Sequence, residues 1–143
     1  MSAPVGETFF GRRIPFLDLL GARAEGRETG RAVVTLQMRE ELRNSWQFAH
    51  GGVLMTLLDV CMGSAAVTVD PEAKGIVTAA LSVSFFRSAD GALRAEGRVL
   101  RAGRSIVHCE GEVRDGSGEV VAKALGTFRL KRKSEDDGGP TQP

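Results

Sequence analysis

Nineteen residues separate His50 from Asp70, and Asp59 is the only charge among them. The heart of the run, "FAHGGVLMTLLDVCMGSAA" (Phe48 to Ala66), is otherwise almost entirely apolar or small. A helix that is apolar all round has to be covered on most of its sides by other elements. The run also reaches the roughly 18 residues of a membrane span. Asp59, His50 and the glycines inside it mark it instead as a core helix, and no membrane is expected as partner. The opening "MSAPVGETFFGRR" lacks the basic-then-apolar pattern of a leader.

The cover must be β-structure. "IPFLDLLG" (Ile14 to Gly21) reads as a short helix between a proline and a glycine. In "RAVVTLQM", Ala32, Val34, Leu36 and Met38 alternate with Val33, Thr35 and Gln37, as in a strand. "ELRNSWQFAHGG" breaks that pattern and is a loop feeding the long helix. After the helix, Asp70-Pro71 and Lys74-Gly75 punctuate a turn. Four strand-like runs follow, Ile76 to Arg87, Ala92 to Ala102, Ser105 to Arg114 and Glu119 to Lys131. Their short connections, Ala89-Asp90-Gly91, Ala102-Gly103-Arg104 and Asp115-Gly116-Ser117-Gly118, are expected to join antiparallel neighbours in a meander. The order is therefore short helix, one or two strands, long helix, four strands, with Gly63-Ser64-Ala65-Ala66 small enough for a close approach of helix to sheet. This is an α+β arrangement of the hotdog type, a curved antiparallel sheet wrapped around one central helix. A single domain over residues 1–133 is expected, followed by a disordered polar tail, "SEDDGGPTQP", from Ser134.

Composition narrows the partners. Nineteen basic against eighteen acidic side chains leave a formal net charge of +1, so no overall field recommends nucleic acid or an acidic membrane surface. The cluster Lys131-Arg132-Lys133 is followed by Glu135-Asp136-Asp137 and reads as a solvated strand end. Cys61 and Cys109 lack metal-type spacing, and with two histidines in the chain no protein-built metal site is expected. Reduced, buried thiols point to the cytoplasm.

Asn44 stands six residues before His50-Gly51-Gly52, Asp59 nine residues after His50, and Thr78 early in the next strand. With "LSVSFFRSA" and "VVAKALGTFRL", this spacing resembles the hotdog-fold acyl-CoA thioesterases of the phenylacetate-degradation (PaaI-like) type. The resemblance runs from about Asn44 to Leu130, and in layout only before that. It implies hydrolysis of an acyl-CoA to free acid and CoA, with no metal or organic cofactor, in a homodimer or a dimer of dimers. It also implies Asn44 and His50 on the oxyanion side and Thr78 beside the aspartate.

Metal-free thioester hydrolysis needs donors for a developing oxyanion and a base or nucleophile for the carbonyl carbon. Gly51 and Gly52 offer bare N–H groups at the positive end of the helix dipole. Asp59 offers the second function, as nucleophile or as the base that activates water. Eight residues of helix span about 12 Å, so one helix cannot bring both groups to one carbonyl. A two-fold dimer with antiparallel helices joins Asp59 of one chain to Gly51 of the other. Arg87, Arg101 and Arg104, at strand ends and turns, are candidates for the nucleotide phosphates. Trp46 and Phe48 wall an acyl pocket or anchor their loop, and His108 is expected on a surface face.

Two other readings share the fold. A non-catalytic acyl-CoA sensor is the alternative, although such sensors carry an attached DNA-binding segment for which no room is expected before Ile14 or after Lys133. A hydratase needs an Asp and a His close together, and Asp59 is nine residues from His50.

Overall fold

The computed structural model describes residues 9–132. The elements are α1 (Pro15–Leu20), β1 (Arg23–Glu28), β2 (Arg31–Gln37), a short 3-10 turn (Glu40–Leu42), α2 (Gly51–Val67), β3 (Ala73–Phe85), β4 (Ala92–Ala102), β5 (Ile106–Arg114) and β6 (Val120–Arg132). All six strands form one sheet in the order β1-β2-β4-β5-β6-β3, every pair antiparallel. Helix α2 touches all six strands, so the sheet curls around it. This is the hotdog fold.

Local chemistry explains the elements. Pro15 starts α1, and Gly21 ends it in the left-handed region at φ +81°, returning its N–H to the carbonyls of Leu17 and Asp18. Strand β1, "RAEGRE", has little apolar alternation of its own. A two-residue turn at Thr29-Gly30 folds it onto β2, whose Val33, Val34 and Leu36 are buried.

The long helix is held at van der Waals distance by small residues on the sheet as well as on the helix. A Cβ on Gly97 of β4 would lie 2.4 Å from the Cys61 carbonyl oxygen and 2.6 Å from the Met62 nitrogen. Its cross-strand partner, Gly111 of β5, faces Met62 in the same way. From the helix side, Gly63 lies under Ile76 of β3. Leu57, Leu58, Cys61, Met62 and Phe128 fill the space between, none of them exposed. Both thiols are free and buried, and burial pushes them up, Cys109 to about 12.

Two expectations are corrected. The last four strands are not a simple meander, because β3 pairs with β6 and not with β4. Residues 86–91 are a link across the open end of the sheet, tied by Phe86 N–H to Val121 O, Ala49 N–H to Ala89 O and Met38 N–H to Gly91 O. The curl brings distant strands close enough for a short segment to bridge them, so shortness did not mean adjacency. Lys74-Gly75 is also no turn: both residues lie inside β3, which starts at Ala73. The tail from Ser134 lies outside the described residues. No described helix is long and apolar enough to cross a membrane.

Candidate active site

At the entry to α2 the chain builds a rigid loop. The Asn44 side-chain oxygen accepts from Trp46 N–H at 2.9 Å and Phe48 N–H at 3.1 Å, and its amide nitrogen donates to Ala49 O at 3.5 Å. Arg43 holds the same loop from outside, donating to Gln47 O and pairing with Asp90 at 3.0 Å. Asn44 therefore spends its carbonyl on loop geometry. Arg43 was not singled out from the sequence, and nothing in its spacing marks it. Trp46, at the loop tip, is 81% exposed, and Gln47 beside it sits at φ +68°.

His50 is the N-cap of α2. Its Nδ1 accepts from Gly52 N–H at 2.8 Å. That bond places the ring proton on Nε2, leaving an outward donor. It also consumes the Gly52 donor. The N–H of Gly51 has no acceptor among the described residues, so of the two glycines only Gly51 keeps a free N–H at the helix end. Phe85, the last residue of β3, packs beside Gly51: a Cβ on Gly51 would lie 3.6 Å from the ring.

Asp59 lies two turns further along, half-buried. Thr78 Oγ1 donates to Asp59 Oδ1 at 2.7 Å, and Oδ2 has no donor among the described residues. Thr56, the other hydroxyl near the helix start, bonds to Gly52 O and not to the carboxylate. Burial raises the Asp59 pKa from its ordinary value, and the Thr78 bond pulls it part of the way back.

A bulge aims Thr78. Thr78 opposes Phe128 and Ala80 opposes Thr127, which leaves Ala79 unpaired. Before the bulge, Ile76 and Thr78 point at the helix; after it, Leu81, Val83 and Phe85 oppose the inward positions Gly126, Ala124 and Ala122. One extra residue thus lets a single strand present both the threonine beside Asp59 and the phenylalanine next to Gly51. Simple alternation gave no sign of this.

The three candidate arginines do not converge. Arg87 follows β3 at the end of the sheet nearest the α2 N-terminus and pairs with Glu119 at 3.5 Å. Arg101 and Arg104 lie at the opposite end, around the β4–β5 turn, where Arg101 opposes the exposed His108 on the outer face. The eleven residues of β4 run between the two ends, about 33 Å of strand.

Residues 47–122 match the family model described as the thioesterase superfamily. The chain belongs to the thioesterase superfamily. Membership places it among the thioester hydrolases. A Saccharolobus solfataricus protein named as a candidate esterase is 33% identical over 127 residues, covering 88% of this chain and 90% of its own length. Among solved structures, a conserved protein of Pseudomonas aeruginosa is 37% identical with a TM-score of 0.75, covering 82% of this chain and 94% of the other. The E. coli PaaI protein from the phenylacetic acid degradation operon superposes with a TM-score of 0.76 at 24% identity, covering 82% and 84% of the two chains. At that identity the likeness is one of fold.

Proposed function

We propose that this protein is an acyl-CoA thioesterase whose site is assembled from two copies of the chain, Asp59 of one acting on a carbonyl held by Gly51 of the other. The observation that carries the reading is the pairing of Asp59 with Thr78 through one oxygen only, on the side of α2 that the sheet leaves open. A carboxylate with one anchored and one free oxygen is oriented for attack or for accepting a proton from water.

Within one copy the two halves are apart, about 12 Å along the helix. Strand β3 supplies the means of joining them, because it pairs with β6 on one side and with no described strand on the other. Thr78 marks the acid half and Phe85 the donor half on that same strand. If two β3 edges pair antiparallel with Thr78 opposite Phe85 of the partner subunit, the bulge at Ala79 puts the two-fold axis at Ser82 and both composite sites close at once.

In such a site the Asp59 carboxylate adds to the thioester carbon, or takes a proton from a water that does so. Negative charge moves to the carbonyl oxygen, which accepts from Gly51 N–H. Collapse breaks the C–S bond and releases the CoA thiolate. The first route leaves a mixed anhydride, which water cleaves to regenerate Asp59 and give the free acid; the second gives the acid directly. A single turnover in 18O-water tests the first route: label in Asp59 requires the anhydride, with water attacking its aspartyl carbon, whereas the second route leaves Asp59 unlabelled.

The test is release of free thiol from a panel of aryl-acyl and aliphatic acyl-CoA esters, with Asp59→Ala and Gly51→Pro beside the wild type. Proline is suited to the first helical position, replaces the N–H by a ring carbon and places its Cβ in ordinary contact with Phe85, and His50 at φ −61°, ψ 141° already has the backbone a following proline requires. Each variant is expected to be inactive alone. Mixed and re-equilibrated in equal amounts, they should regain about one quarter of wild-type turnover, because half the dimers then hold one intact site. Two inactive variants that stay inactive when mixed would rule out the shared site. Saturable acyl-CoA binding without turnover in the wild type would point to the sensor.

A further inference from the structure

We infer that the cleft beneath α1 is the acyl subsite and that it selects compact, uncharged acyl groups. The inference rests on the thioesterase reading above and names what that site accepts. The cleft has a volume of about 280 Å3 and lies between Phe16 and Leu20 of α1, Leu42 of the 3-10 turn, and His50, Gly52 and Val53 at the start of α2. His50 and Gly52 flank Gly51. A thioester whose carbonyl accepts from the Gly51 N–H therefore has the cleft within reach of its acyl substituent.

The size sets one limit. The volume is nearly twice the roughly 150 Å3 of an apolar cavity that takes up benzene. A methylene needs about the ~30 Å3 share of a liquid water. The cleft thus covers an aryl ring with a short linker, or on the order of eight carbons of an aliphatic chain, and leaves the rest of a palmitoyl chain in water.

Charge sets the other limit. Glu41 and Arg43 also line the cleft, but each is already held. Glu41 pairs with Arg39 at 3.5 Å, and Arg43 pairs with Asp90 and donates to Gln47 O. An acyl group ending in a second carboxylate would lose its hydration and find no unpaired cation.

The wall formed by α1 is fixed at its base and open at its tip. Leu17 and Leu20 are buried, and Arg39 donates to the carbonyls of Leu19 and Leu20, capping the helix. Phe16, by contrast, is 54% exposed although it lines the cleft. An acyl group in the cleft would cover that ring, which makes Phe16 the residue through which chain length is read.

The experiment measures kcat/KM for phenylacetyl-, hexanoyl-, octanoyl-, palmitoyl- and succinyl-CoA with wild type, Phe16→Ala and Phe16→Trp. An exposed side chain can be changed without opening the core. The wild type should favour the phenylacetyl and octanoyl esters over the palmitoyl and succinyl esters by at least about tenfold. Phe16→Trp should lower octanoyl relative to hexanoyl turnover by about tenfold, and Phe16→Ala should narrow the gap between octanoyl and palmitoyl. An active wild type whose preference is the same in both variants would overturn the cleft assignment and leave the thioesterase reading standing. If the wild type cleaves no ester, the thioesterase reading fails, and the cleft is judged by calorimetric binding of a non-hydrolysable octanoyl-CoA thioether. Affinity that changes with Phe16 supports the cleft, and affinity that does not overturns it.

Discussion

Helix α2 has two faces that look alike in the sequence and differ in every physical respect in the fold. On the covered face, Leu54, Leu57, Leu58, Cys61, Met62 and Ala65 are at most 3% exposed, and the sheet comes so close that a methyl group on Gly97 has no room. The open face carries Gly52, Met55, Thr56, Asp59 and Val60, none of them buried, and it closes again where Ile76 lies over Gly63. Apart from Thr56 and Asp59, both stretches are made of small and apolar residues. What separates them is the neighbour: central strands on one side, and on the other an edge strand that reaches the helix only in part. The covered face is limited by volume, while the open face can hold a carboxylate because water, or a second copy of the chain, completes its surroundings.

If that division is right, changes on the two faces should have opposite signatures. Asp59→Asn is expected to lower turnover by about a thousandfold or more, without lowering the melting temperature. The sign follows from burial. The folded pKa of Asp59 is raised, so its contribution favours the fold below the unfolded pKa and is lost as pH rises through the folded pKa. At neutral pH the ionised group costs stability, and asparagine, which mimics the protonated form, relieves that cost. A melting temperature several degrees lower in this variant would show that Asp59 is structural. Gly97→Ala is the mirror experiment. The added methyl meets helix backbone that cannot swing aside, so a loss of about 3 kcal/mol is expected, with a fall in melting temperature of roughly 10 °C. Turnover per folded molecule at low temperature should stay near wild type. Thermal melts and thiol release on the same preparations check both.

The division also explains what could be read from the residues alone. The lone charge in an apolar helix, the strand runs and the spacing of Asn44, His50, Gly51 and Asp59 gave the architecture and the family, because periodicity and spacing are local properties. The place of β3 at the sheet edge was not legible, since it depends on how far the sheet curls, and a short loop looked like a hairpin. The Ala79 bulge escaped for a related reason: alternation counted along β3 puts Ala80 inward, and only pairing with β6 shows the parity change. Arg87, Arg101 and Arg104 do lie at strand ends and turns, as the residues suggest, but within one copy β4 sets Arg87 at one end of the sheet and the other two at the opposite end. Asn44 and His50 lie at the spacing of the family's motif, yet in this chain both use their hydrogen bonds to shape the loop and cap the helix.

A smaller effect is expected at Thr78, which touches the open face without belonging to the helix. Its hydroxyl lowers the Asp59 pKa against the effect of burial, so Thr78→Val should raise that pKa further. On the proposed mechanism Asp59 acts ionised, so the acid limb of the kcat/KM profile should move to higher pH, and activity near pH 6 should fall more than activity near pH 8. A loss of about tenfold at the lower pH is a reasonable size for one hydrogen bond to a charged group. Thr78→Ser, which keeps the hydroxyl, should leave the limb where the wild type has it. A limb that does not move in Thr78→Val would mean that the bond orients the carboxylate without tuning it.

The smallest effect, and the finest test of the two-face picture, lies at His50, where the helix end meets the proposed donor. Its Nδ1 holds the Gly52 N–H and so fixes the first turn that presents Gly51. His50→Ala removes an N-cap, which costs about 1 kcal/mol and should lower the melting temperature by roughly 4 °C. His50→Asn restores a capping oxygen and should recover that loss. Turnover then divides two roles that a single variant confounds. If the ring serves only to aim Gly51, the asparagine variant should recover activity together with stability, to within about tenfold of wild type. If instead Nε2–H reaches the substrate, stability should return while turnover stays depressed, and the deficit should be larger in kcat than in KM, because a bond made to a developing oxyanion strengthens in the transition state. The capping bond engages Nδ1 and leaves Nε2 without a partner among the described residues, so the expected result is recovery of both properties with a small residual loss in kcat.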